Sequence, residues 1–268
     1  MKTKKPVVVR EVWGDNLVAE FILIQRAAIH YTYASMDTEF PGTIFQRLNI
    51  QIDNYGLMKA NVDSLNLIQV GLTLSDSEGN LPDFGSDFCY IWEFNFRDFD
   101  IETDFHNQYS IELLKKQGID FMKNKEKGIR SGDFARLLLV SRLVCKLPSL
   151  TWVTFHGAYD FGFLIKILVR KMLPRDLWLF MRLVKYYFGT EFYDVKYMIR
   201  HCDGLYGGLE RVSKSLNVDR VAGKSHQAGS DSLLTMQTFM KLKDGYFSRE
   251  QLNGFKGVLA NVKLVASS

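Results

Sequence analysis

Three β-prone runs, Tyr33 to Phe40, Ile68 to Leu74 and Phe88 to Phe96, precede a long stretch in which strand-like and helical spacings alternate. The later two runs are separated by Glu78-Gly-Asn-Leu-Pro82, a turn cluster suited to a hairpin, so all three can pair antiparallel. Before them, Leu17, Phe21, Ile24 and Ala28 recur at helical spacing. After them the spacing predicts helices at Ile111 to Gln117 and Asp133 to Cys145, then a short strand from Thr151 to Phe155. Further helices are expected at Phe161 to Arg170, at Asp176 to Phe188 behind the starter Pro174, at Gly208 to Leu216 and at Ser230 to Leu242. Strands first, then alternating elements, predicts an α/β chain with a mixed sheet of five or six strands flanked by helices.

A chain of 268 residues that is 47% apolar can bury a large core, and nothing in it reads as a linker or a fixed-period repeat. A single domain over 1–268 is expected, with a short divergent tail after about 258. The net charge of +4 permits a polyanionic partner without demanding one. Cys89, Cys145 and Cys202 are widely spaced and form no zinc-type pair, which fits a reducing compartment. The apolar run after Met1-Lys-Thr-Lys-Lys-Pro is too short for a signal peptide and no stretch approaches a membrane span, so no membrane partner is expected.

The chemistry begins at Asp37 and Glu39, two residues apart on the first of those strand-like runs. Side chains at that spacing leave a strand on one face, where two carboxylates can share a divalent cation, although an Asp-x-Glu triplet on a solvated face is common. Asp160 follows the strand Trp152 to Phe155 and falls in a first helical turn, where a carboxylate is favoured by unpaired amides whether or not it has another role. Asp231 opens a later helix, and capping explains it equally well. His226 lies among Gly, Lys, Ser and Gln, away from any apolar face that would mark it as a core histidine.

An acid pair on a strand, an acid after a later strand, and a histidine followed by a fourth acid resemble the ordered pattern of the DEDD exonucleases. The chain resembles the histidine-bearing branch of that superfamily and, within it, the Caf/Pop-type deadenylases, the nuclease subunits of the Ccr–Not complex. The residues that carry this are Glu11-Val-Trp13, Met36-Asp-Thr-Glu-Phe-Pro-Gly42, Asn61-Val-Asp63, Ile68-Gln-Val-Gly-Leu-Thr73 and Ser110-Ile-Glu-Leu-Leu114. They continue in Phe155-His-Gly-Ala-Tyr-Asp-Phe-Gly-Phe-Leu-Ile-Lys166, Tyr193-Asp-Val-Lys-Tyr197 and His226-Gln-Ala-Gly-Ser-Asp-Ser-Leu-Leu-Thr235. The resemblance runs from about Val9 to Val258, with departures in 43–59, in 83–104 and after 258. The alternative branch carries a tyrosine four residues before the last acid, where this chain has Gln227.

The resemblance implies a ribonuclease H-like fold and a metal-dependent 3′-to-5′ exoribonuclease that removes AMP stepwise from messenger-RNA poly(A) tails. It implies that Asp37 bridges two divalent ions, Mg²⁺ or Mn²⁺, that Glu39 and Asp231 hold one and Asp160 the other, and that His226 takes a proton from the attacking water. Phosphodiester hydrolysis asks for those residue types independently, because two cations about 4 Å apart offset charge on both the attacking and the departing oxygen. Hard cations prefer oxygen ligands, and an imidazole that titrates near pH 6.5 in water is suited to neutral-pH base catalysis. The implied partners are single-stranded RNA with a 3′ poly(A) tail, a leucine-rich-repeat deadenylase and the large scaffold subunit of the complex, in the cytoplasm and nucleus.

Phe40, beside the acid pair, is nominated to stack a substrate base. Lys115, Lys116, Lys123, Lys125, Lys127 and Arg130 are read as a solvated face rather than a phosphate track. Ala222-Gly-Lys-Ser225 lacks the first glycine of a phosphate-binding loop, since that position is Val218. Two rival functions share the same residues: a single-stranded DNA 3′ exonuclease, and a subunit that serves chiefly in assembly.

Overall fold

The structure, a computed structural model, describes residues 5–46, 53–141, 143–145 and 150–262. Outside them lie residues 1–4 of the basic start, 47–52 of the divergent stretch 43–59, residue 142 of the helix expected over 133–145, residues 146–149, and 263–268 of the tail. Among the described residues the strands are β1 (Val7–Val12), β2 (Tyr33–Glu39), β3 (Gln69–Ser75), β4 (Cys89–Asn95), β5 (Thr151–Thr154) and β6 (Phe192–Asp194). The helices are α1 (Leu17–Ala27), α2 (Asn54–Ser64), α3 (Gln108–Gln117), α4 (Phe121–Lys127), α5 (Ser131–Val140) and α6 (Ala158–Val169). They continue with α7 (Leu177–Phe188), α8 (Val195–Met198), α9 (Leu209–Ser215), α10 (Ala228–Gly245) and α11 (Arg249–Phe255).

The six strands form one mixed sheet in the order β1-β4-β3-β2-β5-β6. The pairs β2–β3 and β3–β4 are antiparallel, as the sequence predicts, whereas β1–β4, β2–β5 and β5–β6 are parallel. The two edge strands were not expected. β1 is the valine-rich run near the start, and it pairs in parallel with β4, a partner 82 positions further along the chain. The helix expected over 133–145 stops at Val140, because Ser141 turns to an extended backbone with ψ 165° and its hydroxyl bonds the carbonyl of Leu138 and the amide of Leu143.

β3 shows how the layers are assigned. Val70, Leu72 and Leu74 alternate onto one face and join a core with Phe21, Phe94, Phe134, Trp152 and Phe161. Phe134 meets Phe21, Phe94 and Phe96 edge-on, contacts that add roughly 0.5–1.5 kcal/mol each beyond the area they bury. On the opposite face Gln69, Gly71 and Thr73 turn toward α10, and the hydroxyls of Thr73 and Ser232 lie 2.9 Å apart. Met236, Phe239 and Met240 of α10 pack with Val153, Tyr193, Val212 and Phe255 in a second core, so the methionine-rich helix segment is packing surface. No described helix is long and apolar enough to cross a membrane.

Candidate active site

Asp37 and Glu39 end β2 opposite Gly71 and Gln69 of β3. They share a face with Ser35, whose hydroxyl donates to the carbonyl of Ser232 on α10 at 2.7 Å, so both acids point to the α10 side of the sheet. Thr38 lies between them, and its hydroxyl donates to Asp160 Oδ1 at 2.6 Å. Asp160 occupies the first turn of α6, as its sequence context predicts. One strand end therefore presents two acids directly and holds a third by hydrogen bond.

The fourth acid arrives on α10. The start of this helix lies against the sheet at Gly71, where a Cβ would stand 1.8 Å from the carbonyl oxygen of Ala228, so only glycine permits the approach. Beside it, the amide of Ala228 donates to Gln69 Oε1 at 3.3 Å and that of Gly229 to Glu93 Oε2 at 3.0 Å. Gln69 Nε2 in turn donates to Glu93 Oε1 at 3.2 Å and to Asn95 Oδ1 at 2.7 Å. Two orphan amides of the helix start are thereby satisfied by buried side chains of β3 and β4, which fixes where the first turn, and Asp231 within it, stands. His226 precedes the helix with φ 59°, and its amide donates to Asp231 Oδ2 at 3.0 Å. Ligand atoms of Glu39, His226 and Asp231 lie within 4.8 Å of one another, with both acids buried and the imidazole exposed.

Burial raises the pKa of Asp37 well above the ordinary carboxylate range, and the charges of Asp160, Asp231 and Glu39 push it further. Glu39 is raised well above its usual value for the same reasons, with Asp231 and Asp160 the nearest charges. Asp160 is lifted to about 7 by burial, against the hydrogen bond from Thr38. Asp231 is raised by burial in spite of the Arg220 guanidinium, whose Nη2 stands 2.6 Å from Oδ1. Oδ1 is thus buried and ion-paired with that guanidinium. Mutually repelling, buried carboxylates are the environment that a divalent cation relieves, and the oxygen donors suit a hard one. The residues fit such an ion.

The β5–α6 turn that delivers Asp160 is itself anchored. Asp194, fully buried at the end of β6, accepts the amides of His156 at 2.8 Å, Gly157 at 3.1 Å, Lys196 at 3.0 Å and Ala260 at 2.8 Å. His156 takes a left-handed φ of 68° to face it. Thr38, Gln69, Glu93, Asp194 and Arg220 were not singled out from the sequence. Thr38, Gln69 and Asp194 stood inside the quoted motifs, but a buried polar partner far along the chain leaves no local spacing to read.

Phe40 lies beside the acids with its ring stacked on Tyr159, 5.1 Å between centroids and 13° from parallel, and against Phe163 at 4.9 Å. Lys123 is paired with Glu11 and sits over the Trp13 ring, and Lys125 is paired with Asp100, so part of the basic cluster is neutralised locally. A cavity of about 650 Å³ lined by Asn66, Asp98, Ser131, Lys166 and Arg170 includes none of the four acids. The chemistry-bearing groups lie outside it.

Residues 12–132 match the CAF1 family ribonuclease description. Over 255 residues, 92% of this chain and 91% of the relative, the chain is 49% identical to the probable CCR4-associated factor 1 homolog 10 of Arabidopsis thaliana. The chain belongs to the CAF1 ribonuclease family. Another CAF1 family relative, the poly(A) ribonuclease pop2 of Schizosaccharomyces pombe, is 42% identical over 89% of this chain and 70% of its own length. The structure of S. pombe Pop2p in its Mg²⁺- and Mn²⁺-bound form superposes with a TM-score of 0.86 at 40% identity, covering 94% of this chain and 99% of that one. A chain in the structure of the yeast NOT1 MIF4G domain co-crystallised with CAF1 gives a TM-score of 0.78 at 35% identity, covering 94% and 96%. The CAF1 family chain thus has the ribonuclease H-like fold that its sequence led one to expect.

Proposed function

We propose that this CAF1 family chain is a poly(A)-specific 3′-to-5′ exoribonuclease in which Asp37, Glu39, Asp160 and Asp231 hold two divalent ions and His226 is the general base. The observation that carries this reading is the convergence of Glu39, His226 and Asp231, from β2, the loop before α10 and α10 itself, within 4.8 Å. Asp37 and Asp160 feel the same charges from adjoining positions. At such a site two Mg²⁺ or Mn²⁺ ions supply the positive charge that offsets the attacked phosphate and the departing sugar oxygen. His226, exposed beside two buried acids, takes a proton from the attacking water and is free to pass it to solvent. Asp37, close enough to feel the charges of Asp160, Asp231 and Glu39, would help to hold both ions. Asp160, oriented by Thr38, would hold one ion, and Glu39 and Asp231, whose ligand atoms lie together, would hold the other.

The named relatives support poly(A) as the substrate, and the Mg²⁺- and Mn²⁺-bound neighbour supports the ions. The co-crystal of CAF1 with NOT1 supports the large scaffold subunit of the Ccr–Not complex as a partner; a leucine-rich-repeat deadenylase is the second partner proposed, and cytoplasm and nucleus the compartments. The test is purified protein on a labelled RNA ending in adenosines, beside a matched DNA and a non-adenosine tail, with and without chelator. Stepwise shortening of the adenosine tail alone, abolished by chelator, is expected. Equal turnover of DNA would assign the protein to the rival nuclease class, and no turnover with intact assembly would leave it a scaffold.

A further inference from the structure

Arg220 stands on the loop between α9 and α10, largely buried, and its guanidinium reaches four groups. Nη2 donates to Glu210 Oε2 on α9 at 2.7 Å and lies 2.6 Å from Asp231 Oδ1. Nη1 donates to Ser230 Oγ at 2.5 Å and to the carbonyl of Lys224 at 3.3 Å. The same loop is closed by Ser230 Oγ donating to the carbonyl of Ala222 at 2.5 Å and by the amide of Lys224 donating to Gln227 Oε1 at 2.9 Å.

We propose that Arg220 is a positioning residue for the hydrolytic site, locking the Asp231 carboxylate and the loop that carries His226 into one unit. This rests on the two-ion reading given above. The carboxylate is addressed from two sides, Oδ1 by the guanidinium and Oδ2 by the His226 amide, so it cannot rotate without breaking one contact. His226 is held in a left-handed conformation by the loop that Arg220 ties to α9. A planar guanidinium addresses helix, loop and carboxylate together, whereas a lysine ammonium offers three donors from one point. Charge and geometry also pull in opposite directions. A cation beside a metal ligand repels an incoming dication, so a mere counter-charge would weaken metal binding and its loss would tighten it. A positioning group does the reverse.

The experiment compares the full chain with Arg220→Lys, Arg220→Gln and Glu210→Gln. It reads the affinity for Mn²⁺ alone by calorimetry, the kcat and KM for an adenosine-tailed RNA at saturating Mn²⁺, and thermal unfolding in chelator. Arg220→Lys keeps the charge and should lower Mn²⁺ affinity about tenfold and kcat about 100-fold, with KM within about threefold, as expected when a misplaced group meets only the transition state. Arg220→Gln should lose at least as much, and Glu210→Gln, which leaves the Asp231 contact, should lose less in the same direction. Mn²⁺ affinity at or above the parent's in either Arg220 variant, or an unchanged kcat in Arg220→Lys, overturns the role. Should both Arg220 variants fail to unfold cooperatively, Glu210→Gln decides, an unchanged kcat and Mn²⁺ affinity refuting it. A parent chain that neither binds Mn²⁺ nor shortens the tail refutes the two-ion reading and this role with it; an active parent beside an unaffected Arg220→Lys refutes this role alone.

Discussion

The hydroxyl of Thr38 donates to Asp160 Oδ1 at 2.6 Å, so the strand that presents Asp37 and Glu39 also orients an acid 122 residues further along the chain. Thr38→Val keeps the shape of the side chain and removes the donor. It should cost about 1–3 kcal/mol of stability by leaving a buried oxygen without its partner, and lower kcat about tenfold, with Thr38→Ser restoring both. Denaturant unfolding and steady-state kinetics on an adenosine-tailed RNA check this, and a Thr38→Val enzyme with parental kcat would show that Asp160 needs no such support.

Asp37→Ala and Asp231→Ala should each reduce turnover about 1,000-fold or more, since several kcal/mol of transition-state charge stabilisation goes with the bound ions. In chelator the sign reverses for stability. Removing one of several repelling carboxylates should raise the Tm of Asp37→Ala above the parent's at pH 8. A lower Tm under those conditions would mean that Asp37 is held by contacts stronger than the repulsion.

His226→Ala should lower kcat about 100-fold to 10,000-fold, the range typical of a lost general base, and leave Mn²⁺ affinity near the parent's. Calorimetry and kinetics on one preparation separate the two. A collapse of Mn²⁺ affinity would make the imidazole a ligand, and parental kcat would give it no part in proton transfer.

Gly71→Ala places a Cβ 1.8 Å from the carbonyl oxygen of Ala228, a backbone atom that cannot swing aside. The start of α10 must lift from the sheet, at a cost of about 3 kcal/mol or more. Because Asp231 rides on that turn, the fraction that remains folded should also be nearly inactive. Stability and specific activity close to the parent's would contradict the contact.

Metal-free protein should lose stability as pH rises from about 5 to 7. Asp160 and Glu93 hold protons up to about 7 in the folded chain, both because of burial. In the unfolded chain such carboxyls ionise near pH 4. Between those values the folded state binds more protons, so the slope of stability against pH is negative. Thermal melts in chelator at pH 5, 6, 7 and 8 measure it. Glu93→Gln, which cannot ionise, should reduce the slope, and a Tm that climbs across the window would refute the assignment.

Much of this was legible along the chain. The two-residue period of a strand is enough to put Asp37 and Glu39 on one face, and the apolar runs at 68–74 and 88–96 announce β3 and β4. Asp160 and Asp231 sit in first helical turns that composition marks well. What stayed hidden was short or remote. β6 has three residues, too few for any periodicity, and β1, though rich in valine, has its partner β4 at a distance of 82 positions. α2, with Gly56 and Asn61 in its interior, has almost no amphipathic signature. Glu93 meets Gly229 across 136 positions and Asp194 meets His156 across 38, distances over which sequence spacing carries no information.

Asp194 has one further partner whose location matters, the amide of Ala260. Through that bond the closing stretch of the described chain braces the bend from which Asp160 emerges. A protease that clipped the protein just before Leu259 would therefore remove none of the four acids, nor His226, yet would slacken the cradle for one of those acids. Integrity of the far end thus belongs to the enzyme's working parts as much as to its upkeep.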